Sequence, residues 1–91
     1  VKKVKISAKK TKVTVTWKKN KKAKGYEISY ATNKKFKKAS KVNVKKNNKT
    51  KKVLTKIKSN KVYYIKVRAY VIVNGKKVYG KYSKVRKIRS K

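Results

Sequence analysis

Apolar and polar residues alternate along most of the chain with a period of two. The stretch at 61–73 is the clearest case, because Tyr63, Ile65, Val67 and Ala69 fall on one side of an extended chain. This alternation predicts β-strands with one buried face. The abundance of Val, Ile, Thr and Tyr also favours strands over helices, and we therefore predict an all-β protein.

The pattern predicts seven short strands, each with one apolar face. The fifth, near 52–57, is ambiguous, because Val53, Leu54 and Ile57 do not fit one alternation. The residues predicted to face inward on the first four strands are Val4, Ile6 and Ala8; Val13, Val15 and Trp17; Tyr26, Ile28 and Tyr30; and Val42 and Val44. The last strand offers Tyr82, Val85 and Ile88 and is predicted to contain a bulge.

Polar stretches at 20–25, 32–39 and 46–51 separate the strands and predict turns. Asn74-Gly75 predicts a type I′ hairpin turn between the sixth and seventh strands, since both central residues of that turn need positive φ. Seven strands with turn signals every ten or so residues are typical of an antiparallel β-sandwich. We predict a single domain over 1–91, because 91 residues are too few for two cores.

Charge is the outlying property of this sequence. The 34 lysines and arginines face one acidic residue, Glu27, and the formal net charge is +33. Small soluble domains usually carry a net charge of about 2 to 8. High charge alone would suggest disorder, but Trp17, Phe36 and the seven tyrosines supply material for a core.

The residue inventory argues against catalysis. The chain has no His, Cys or Asp and a single Glu, so it has no carboxylate pair, no nucleophile–base pair and no cluster of metal ligands. We therefore predict no enzyme activity, no cofactor and no metal. Without cysteine the redox compartment cannot be read. The pattern predicts neither a transmembrane helix nor a secretory signal peptide.

Three sequence segments together resemble the fibronectin type III family. The stretch at 57–69 fits the family frame Leu-x6-Tyr-x-hydrophobic-x-Val-x-Ala, with Ile57 in the Leu position. Trp17 ends the second strand, GYEISY at 25–30 forms the third, and NGKKVYGKYSKV at 74–85 resembles the closing hairpin. The resemblance covers essentially the whole chain. Within the family, the sequence most resembles the Lys-rich versions in surface proteins of Gram-positive bacteria.

The resemblance implies an immunoglobulin-like sandwich of seven antiparallel strands. It implies that Tyr63 is the tyrosine-corner residue, whose hydroxyl bonds to upstream backbone. It also places Leu54 and Ile57 inward, leaving Val53 partly exposed. The prolines common in this family and most acidic residues are missing. The sequence is thus either a supercharged redesign or an unusually basic bacterial module, which would be extracellular or cell-wall associated.

Basic and aromatic residues interleave on the predicted outward positions of the last two strands. Single-stranded nucleic acid is often held by such pairs, through phosphate contact and base stacking. Tyr79 is a further candidate among these outward aromatic residues. The alternative is that the aromatic residues only pack across strands on a sheet face. The residues predicted to form a diffuse polyanion-binding surface are Tyr64, Lys66, Arg68, Tyr70, Lys76, Lys77, Lys81 and Arg86.

The expected partners are polyanions: nucleic acid, teichoic acid, heparin-like glycans or an anionic membrane surface. Binding should be salt-sensitive and non-specific, and like-charge repulsion predicts a monomer. A structural spacer is an alternative function. A protein-binding module using the turns at 19–25, 45–50 and 72–79 is another. Glu27 is either a contact residue spared for a partner or one half of an exposed cross-strand pair with Lys66 or Arg68.

Overall fold

The computed structural model describes residues 3–9, 11–55 and 57–90 and shows eight strands there and no helix. No described segment forms a helix long and apolar enough to span a bilayer. The strands are β1 (Lys5–Lys9), β2 (Lys12–Thr16), β3 (Gly25–Ala31), β4 (Ser40–Val44), β5 (Lys51–Leu54), β6 (Val62–Val73), β7 (Lys76–Tyr79) and β8 (Arg86–Arg89).

The strands form two antiparallel sheets that enclose the core. The smaller sheet has the order β1-β2-β5, and the larger has the order β4-β3-β6, with β7 and β8 both paired to β6. Val13, Val15, Ile28, Ile65 and Val67 are completely buried between the sheets. These residues are the inward positions of the period-two pattern, so the all-β sandwich and most of its core are confirmed.

The described residues form eight strands where the sequence predicted seven, because the last predicted strand is interrupted. β7 pairs with the end of β6 and β8 with its beginning. Between them the chain stays beside β6: the Gly80 amide donates to Ala69 (2.9 Å) and the Ser83 amide to Val67 (2.7 Å). The Ser83 side-chain oxygen accepts the Val67 amide (3.0 Å) in place of a backbone carbonyl.

The interruption changes which residues of the last segment face the core. Ile88 packs against the core as predicted, but Val85 is 49% exposed. Tyr82 lies on the outer face of the larger sheet, where its hydroxyl reaches Glu27. The predicted inward placement of Val85 and Tyr82 was wrong, because simple alternation does not continue through the irregular segment.

The ambiguous fifth strand and the tyrosine corner agree with the resemblance. Leu54 and Ile57 are each 3% exposed, whereas Val53 is 40% exposed. The Tyr63 hydroxyl accepts a hydrogen bond from the Lys58 amide at 2.9 Å, which ties the end of the β5–β6 connection to β6. Trp17 is buried and meets the Tyr26 ring edge-on at 5.2 Å between ring centroids.

Gly25 is required where β3 meets β6. It lies opposite Tyr70 in the strand register, and the Tyr70 ring covers it. A Cβ atom at Gly25 would collide with the Val44 carbonyl oxygen and would lie 2.7 Å from the Tyr70 hydroxyl. Because backbone is one of the two obstacles, a side-chain rotation cannot relieve the clash.

We expect Gly25→Ala to lower the free energy of unfolding by about 2 kcal/mol or more, since forced overpacking usually costs about 1–3 kcal/mol. Gly80→Ala is the matched control, because its new Cβ would meet only the Ala69 carbonyl oxygen at 3.7 Å. Urea unfolding followed by Trp17 fluorescence measures both. Equal stabilities of the two variants would contradict the proposed clash.

Candidate functional site

The outer face of the larger sheet carries most of the predicted site. Residues two apart on a strand share a face, so Tyr64, Lys66, Arg68 and Tyr70 point the same way from β6. Glu27 lies beside them, opposite Arg68 in the register of β3 and β6. Tyr79, Tyr82 and Phe36 cover this face from other parts of the chain.

Glu27 sits at the centre of a hydrogen-bonded cluster. Arg68 donates a hydrogen bond from Nε to its Oε1 atom (3.0 Å), and Arg68 Nη2 lies 2.9 Å from the same oxygen in an ion pair. The Tyr82 hydroxyl also donates to this oxygen (2.9 Å). Since that hydroxyl proton is engaged, the Ser29 hydroxyl at 3.2 Å donates to Tyr82. Glu27 is only 7% exposed. The cross-strand pairing was predicted correctly, but its exposure was wrong, because Tyr82 covers the pair.

The pKa of Glu27 lies below its ordinary value of 4.5, as the net result of effects that raise it and effects that lower it. Burial is the largest single influence and raises the pKa, because it disfavours the charged form. The hydrogen bond from Tyr82, the charge and hydrogen bond of Arg68, and the charge of Lys41 lower it and together prevail. Glu27 is therefore ionised at neutral pH and already neutralised within the protein.

The cations of β6 lie between aromatic rings. The Lys66 ammonium is 4.2 Å from the Phe36 ring centroid and 4.0 Å from that of Tyr82. The Arg68 guanidinium is 4.5 Å from the Tyr82 centroid and 3.7 Å from that of Tyr79. We call the series Phe36, Lys66, Tyr82, Arg68 and Tyr79 the aromatic–cation row. Each such contact is worth about 0.5–2 kcal/mol, so the row stabilises the sheet face.

Tyr70 was predicted to be an outward stacking platform, and the structure corrects this. Tyr70 is only 4% exposed, because Gly25 on the neighbouring strand has no side chain and the Tyr70 ring fills the space above it. Tyr79 meets it edge-on with 5.9 Å between ring centroids, and the Lys77 ammonium lies 4.8 Å from the Tyr70 centroid. A base therefore cannot stack on Tyr70 in this conformation.

The remaining predicted residues do not join one patch. Tyr64 is half-buried at the far end of β6, opposite Lys87 of β8. Lys76 and Arg86 are exposed and, by register, point to the other side of the sheet from Lys66. Lys81 is exposed in the interrupted segment. The predicted surface is consequently spread over both sides of the sheet and has no single geometry.

Sequence reasoning missed two members of the row, Phe36 and Tyr82. Phe36 lies in the β3–β4 connection, and nothing local to it indicates which sheet face it will cover. Tyr82 lies three residues after Tyr79, a spacing that alternation assigns to opposite faces. Gly80 between them was the available signal, since an isolated glycine in a strand pattern suggests a bulge.

The predicted turns at 19–25, 45–50 and 72–79 lie at the same end of the sandwich. The Tyr26 hydroxyl accepts the Asn20 amide (2.9 Å) and donates to the Asn47 carbonyl (2.7 Å), which ties the first two turns together. An apolar groove of 210 Å³ lies between residues 20–23 and the β6–β7 hairpin. Geometry thus allows contacts at this end of the sandwich.

We expect Glu27→Gln to lower the free energy of unfolding at neutral pH by about 1.5–3 kcal/mol, as for hydrogen bonds to charged groups. Because the folded-state pKa lies below the unfolded value, the ionised carboxylate stabilises the fold above about pH 4.5 and loses that effect as pH falls through the folded pKa. The stability difference between wild type and variant should be constant from pH 8 to 5.5 and shrink below 4.5, which urea titrations at each pH measure.

The change in stability at acid pH can be assigned to Glu27, because the chain has no other Asp or Glu and no His. Tyr82→Phe is the control variant. It keeps the carboxylate but removes one hydrogen bond that lowers its pKa, so the total loss of stability on acidification should be smaller than in the wild type and should be complete at a higher pH. Parallel pH profiles for wild type and Glu27→Gln would contradict the lowered pKa.

Solved structures similar to this chain share its fold. The FN1–FN3 domains of chicken CNTN1 match with a TM-score of 0.81 and 26% identity, over 99% of this chain and 31% of that one. The fn3 domain of human contactin 1 matches with a TM-score of 0.82 and 22% identity, over 98% of this chain and 74% of that one. A structure described as a myokine matches with a TM-score of 0.77 and 15% identity, over 98% and 93%.

The chain therefore spans about a third of the length of the chicken protein fragment it matches. No curated protein matches the sequence significantly. The sequence model of the fibronectin type III domain matches residues 1–86, which is nearly the whole chain. With the paired sheets and the tyrosine corner at Tyr63, this match shows that the chain belongs to the fibronectin type III family.

Proposed function

We propose that this domain is a non-catalytic module whose cationic surface binds polyanions by non-specific electrostatics. The observation that carries the proposal is the net charge of +33 together with its placement. Among the described lysines, all except Lys52 and Lys66 are exposed. The single acid, Glu27, is buried and forms its ion pair with Arg68, so it offsets little of the charge on the surface.

A surface of this kind attracts any dense anionic polymer. Its potential reaches several kT, and binding releases counterions condensed on the polymer. Nucleic acid, teichoic acid and heparin-like glycans all supply closely spaced phosphates, sulfates or carboxylates. The gain comes mainly from the released ions, so affinity should fall steeply with salt and depend little on polymer sequence.

The site geometry supports diffuse binding over base recognition. Lys66 and Arg68 are half-buried in the aromatic–cation row and already have partners there. Tyr70 is buried, so the predicted stacking of bases on this residue is not available. Arginine, which pairs bidentately with phosphates and guanine, occurs only three times. The exposed lysines act as independent point charges.

A structural spacer within a larger surface protein is the second candidate function. The observation that favours it is the match to chicken CNTN1, in which this chain covers only 31% of a fragment containing several such domains. The domain would then lie outside the cell or in the cell wall, where its charge would hold it on anionic polymers. A supercharged scaffold made by redesign would have the same binding physics, because the proposal depends only on charge.

Salt dependence tests the electrostatic mechanism. We expect affinity for a fluorescent 20-nucleotide single strand to fall by roughly two to three orders of magnitude between 50 and 200 mM salt, as for about six phosphate contacts. A scrambled oligonucleotide and a heparin oligosaccharide should show the same steep loss in fluorescence anisotropy titrations. High-salt affinity that persists for one of the three ligands would contradict the proposal.

Two charge-matched variants test whether the binding is diffuse. One replaces Lys34, Lys35, Lys37 and Lys38 by Gln, and the other replaces Lys21, Lys22, Lys45 and Lys46. All eight lysines are exposed, and the two sets belong to turns at opposite ends of the sandwich. Diffuse binding predicts equal losses of affinity, within about twofold, because each variant removes four charges. Loss in one variant alone would instead locate a binding site at that end.

A further inference from the structure

The β6–β7 hairpin projects beyond the sandwich. β6 pairs with β3 only as far as Tyr70, and its last three residues pair with β7 alone. We call residues 71–79 the projecting hairpin. Asn74 and Gly75 both have positive φ, at 51° and 77°, and close it in a tight turn, as predicted.

The projecting hairpin holds most of the exposed apolar surface of the described chain. Among the described residues, six large apolar side chains are exposed, and four of them belong to this hairpin: Ile72 (45%), Val73 (50%), Val78 (51%) and Tyr79 (38%). The other two, Val53 and Val85, stand apart on other segments. Elsewhere the surface is dominated by lysine, so this cluster is not explained by ordinary surface composition.

The apolar residues occupy both faces of the projecting hairpin. Val71 pairs with Val78, which places these two side chains on one face. Ile72 pairs with Lys77, and both lie on the opposite face, which continues to Tyr79. A protein groove usually covers one face of a hairpin. An element that is apolar on both faces is better matched by a medium that surrounds it.

Lysines of the projecting hairpin are placed so that their charges can remain near the domain. The Lys77 ammonium lies 4.8 Å from the Tyr70 ring centroid, so its side chain runs back from the tip toward the sandwich. Lys76 is exposed on the other face. In the neighbouring turn, exposed Lys22 lines the groove against the hairpin, and the amide of exposed Lys24 donates to the Tyr70 carbonyl (2.8 Å). Long lysine stems of this kind can lie along apolar surface while the ammonium contacts phosphates.

We propose that the projecting hairpin docks this domain on an anionic phospholipid bilayer by entering the headgroup region. The inference rests on the proposed function for the long-range attraction, and it adds an apolar contact that other polyanions cannot make. A second copy of the chain is a poor occupant, because each copy carries +33. The lysines beside the apolar tip select a negatively charged surface.

The dimensions of the projecting hairpin suit a shallow entry. Three residue pairs separate the base of the hairpin from its turn, which at about 3.4 Å per residue is about 10 Å. Amphipathic elements at membrane surfaces bury their apolar side about 5–10 Å, at the boundary of headgroups and acyl chains. Tyr79 at the base would lie at the headgroup level, where tyrosine is enriched.

Vesicle binding of charge-matched variants tests the proposal. The test variant is Ile72→Ser/Val73→Ser/Val78→Ser, which leaves the aromatic–cation row and every charge in place. The control is Val53→Ser/Val85→Ser, which removes exposed apolar residues elsewhere. Sedimentation with vesicles of 70% phosphatidylcholine and 30% phosphatidylglycerol at 150 mM salt should show at least tenfold weaker binding for the test variant. The control should stay within twofold of wild type, and all three proteins should bind the oligonucleotide equally.

Each outcome decides between explanations. If the test variant binds vesicles as wild type does while oligonucleotide binding is intact, the hairpin inference is wrong and the electrostatic function stands. If wild type binds neither vesicles nor oligonucleotide, both fail. If the wild type does not bind vesicles, but Ile72, Val73 and Val78 are needed to bind an acidic protein, the hairpin docks on a protein and the lipid inference is overturned.

Fluorescence quenching gives a positive readout that does not depend on a loss of binding. Ile72→Trp and Val53→Trp each add one exposed tryptophan to the buried Trp17. Anionic vesicles containing brominated phosphatidylcholine should quench Ile72→Trp and leave Val53→Trp unchanged. Equal quenching of the two variants would contradict entry by the hairpin. Thermal unfolding of all variants confirms that each is folded at the assay temperature.

Discussion

Repulsion among the basic side chains is the constraint that the rest of this structure accommodates. The sheets bring neighbouring strands to about 4.8 Å from one another, and every described strand except β3 carries at least one lysine. The fold meets this by burying one apolar face completely and by sending nearly all described lysines to solvent, where salt screens them over about 8–10 Å. The same lysines protect the sheet edges, since charged edges discourage strand addition by another chain.

Two of the half-buried cations, Lys66 and Arg68, are stabilised by aromatic rings, and Arg68 also by the single acid. Lys66 and Arg68 occupy the centre of the larger sheet, which is the most crowded part of its outer face. Phe36, Tyr79 and Tyr82 supply the negative faces of their rings, and Glu27 supplies a full charge. Aromatic rings interleaved with Lys66 and Arg68 thus stabilise the sheet, whereas the exposed lysines around them carry the charge on which the proposed polyanion binding depends.

The two proposed activities use different parts of the same surface. Diffuse attraction depends on the number of charges and needs no particular geometry. It is therefore compatible with the positions of the predicted residues, which lie on both sides of the sheet. Contact with a bilayer depends on the projecting hairpin, whose apolar residues have no role in the core. Attraction would bring the domain to an anionic surface, and the hairpin would distinguish a lipid surface from a soluble polymer.

The sequence by itself determined the all-β sandwich, most of the core and the hairpin at Asn74-Gly75, and it left Lys66 and Arg68 as the two candidate cross-strand partners of Glu27. The strands, their core faces and the turn depend on period-two alternation and on local turn chemistry, which can be read from residues near in sequence. The family frame supplied the inward Leu54 and Ile57 and the tyrosine corner at Tyr63.

Tertiary structure decided which side chains from distant parts of the chain pack together, and this packing buried two residues that the sequence had predicted to be exposed. Tyr70 is buried because Gly25, 45 residues earlier, has no side chain, and Glu27 is buried because Tyr82 covers it. The irregular segment at 80–85 turned Tyr82 outward and exposed Val85, since side-chain bonding by Ser83 replaces a regular strand there. Such contacts join residues far apart in the chain, and their exposure depends on three-dimensional packing that alternation cannot encode.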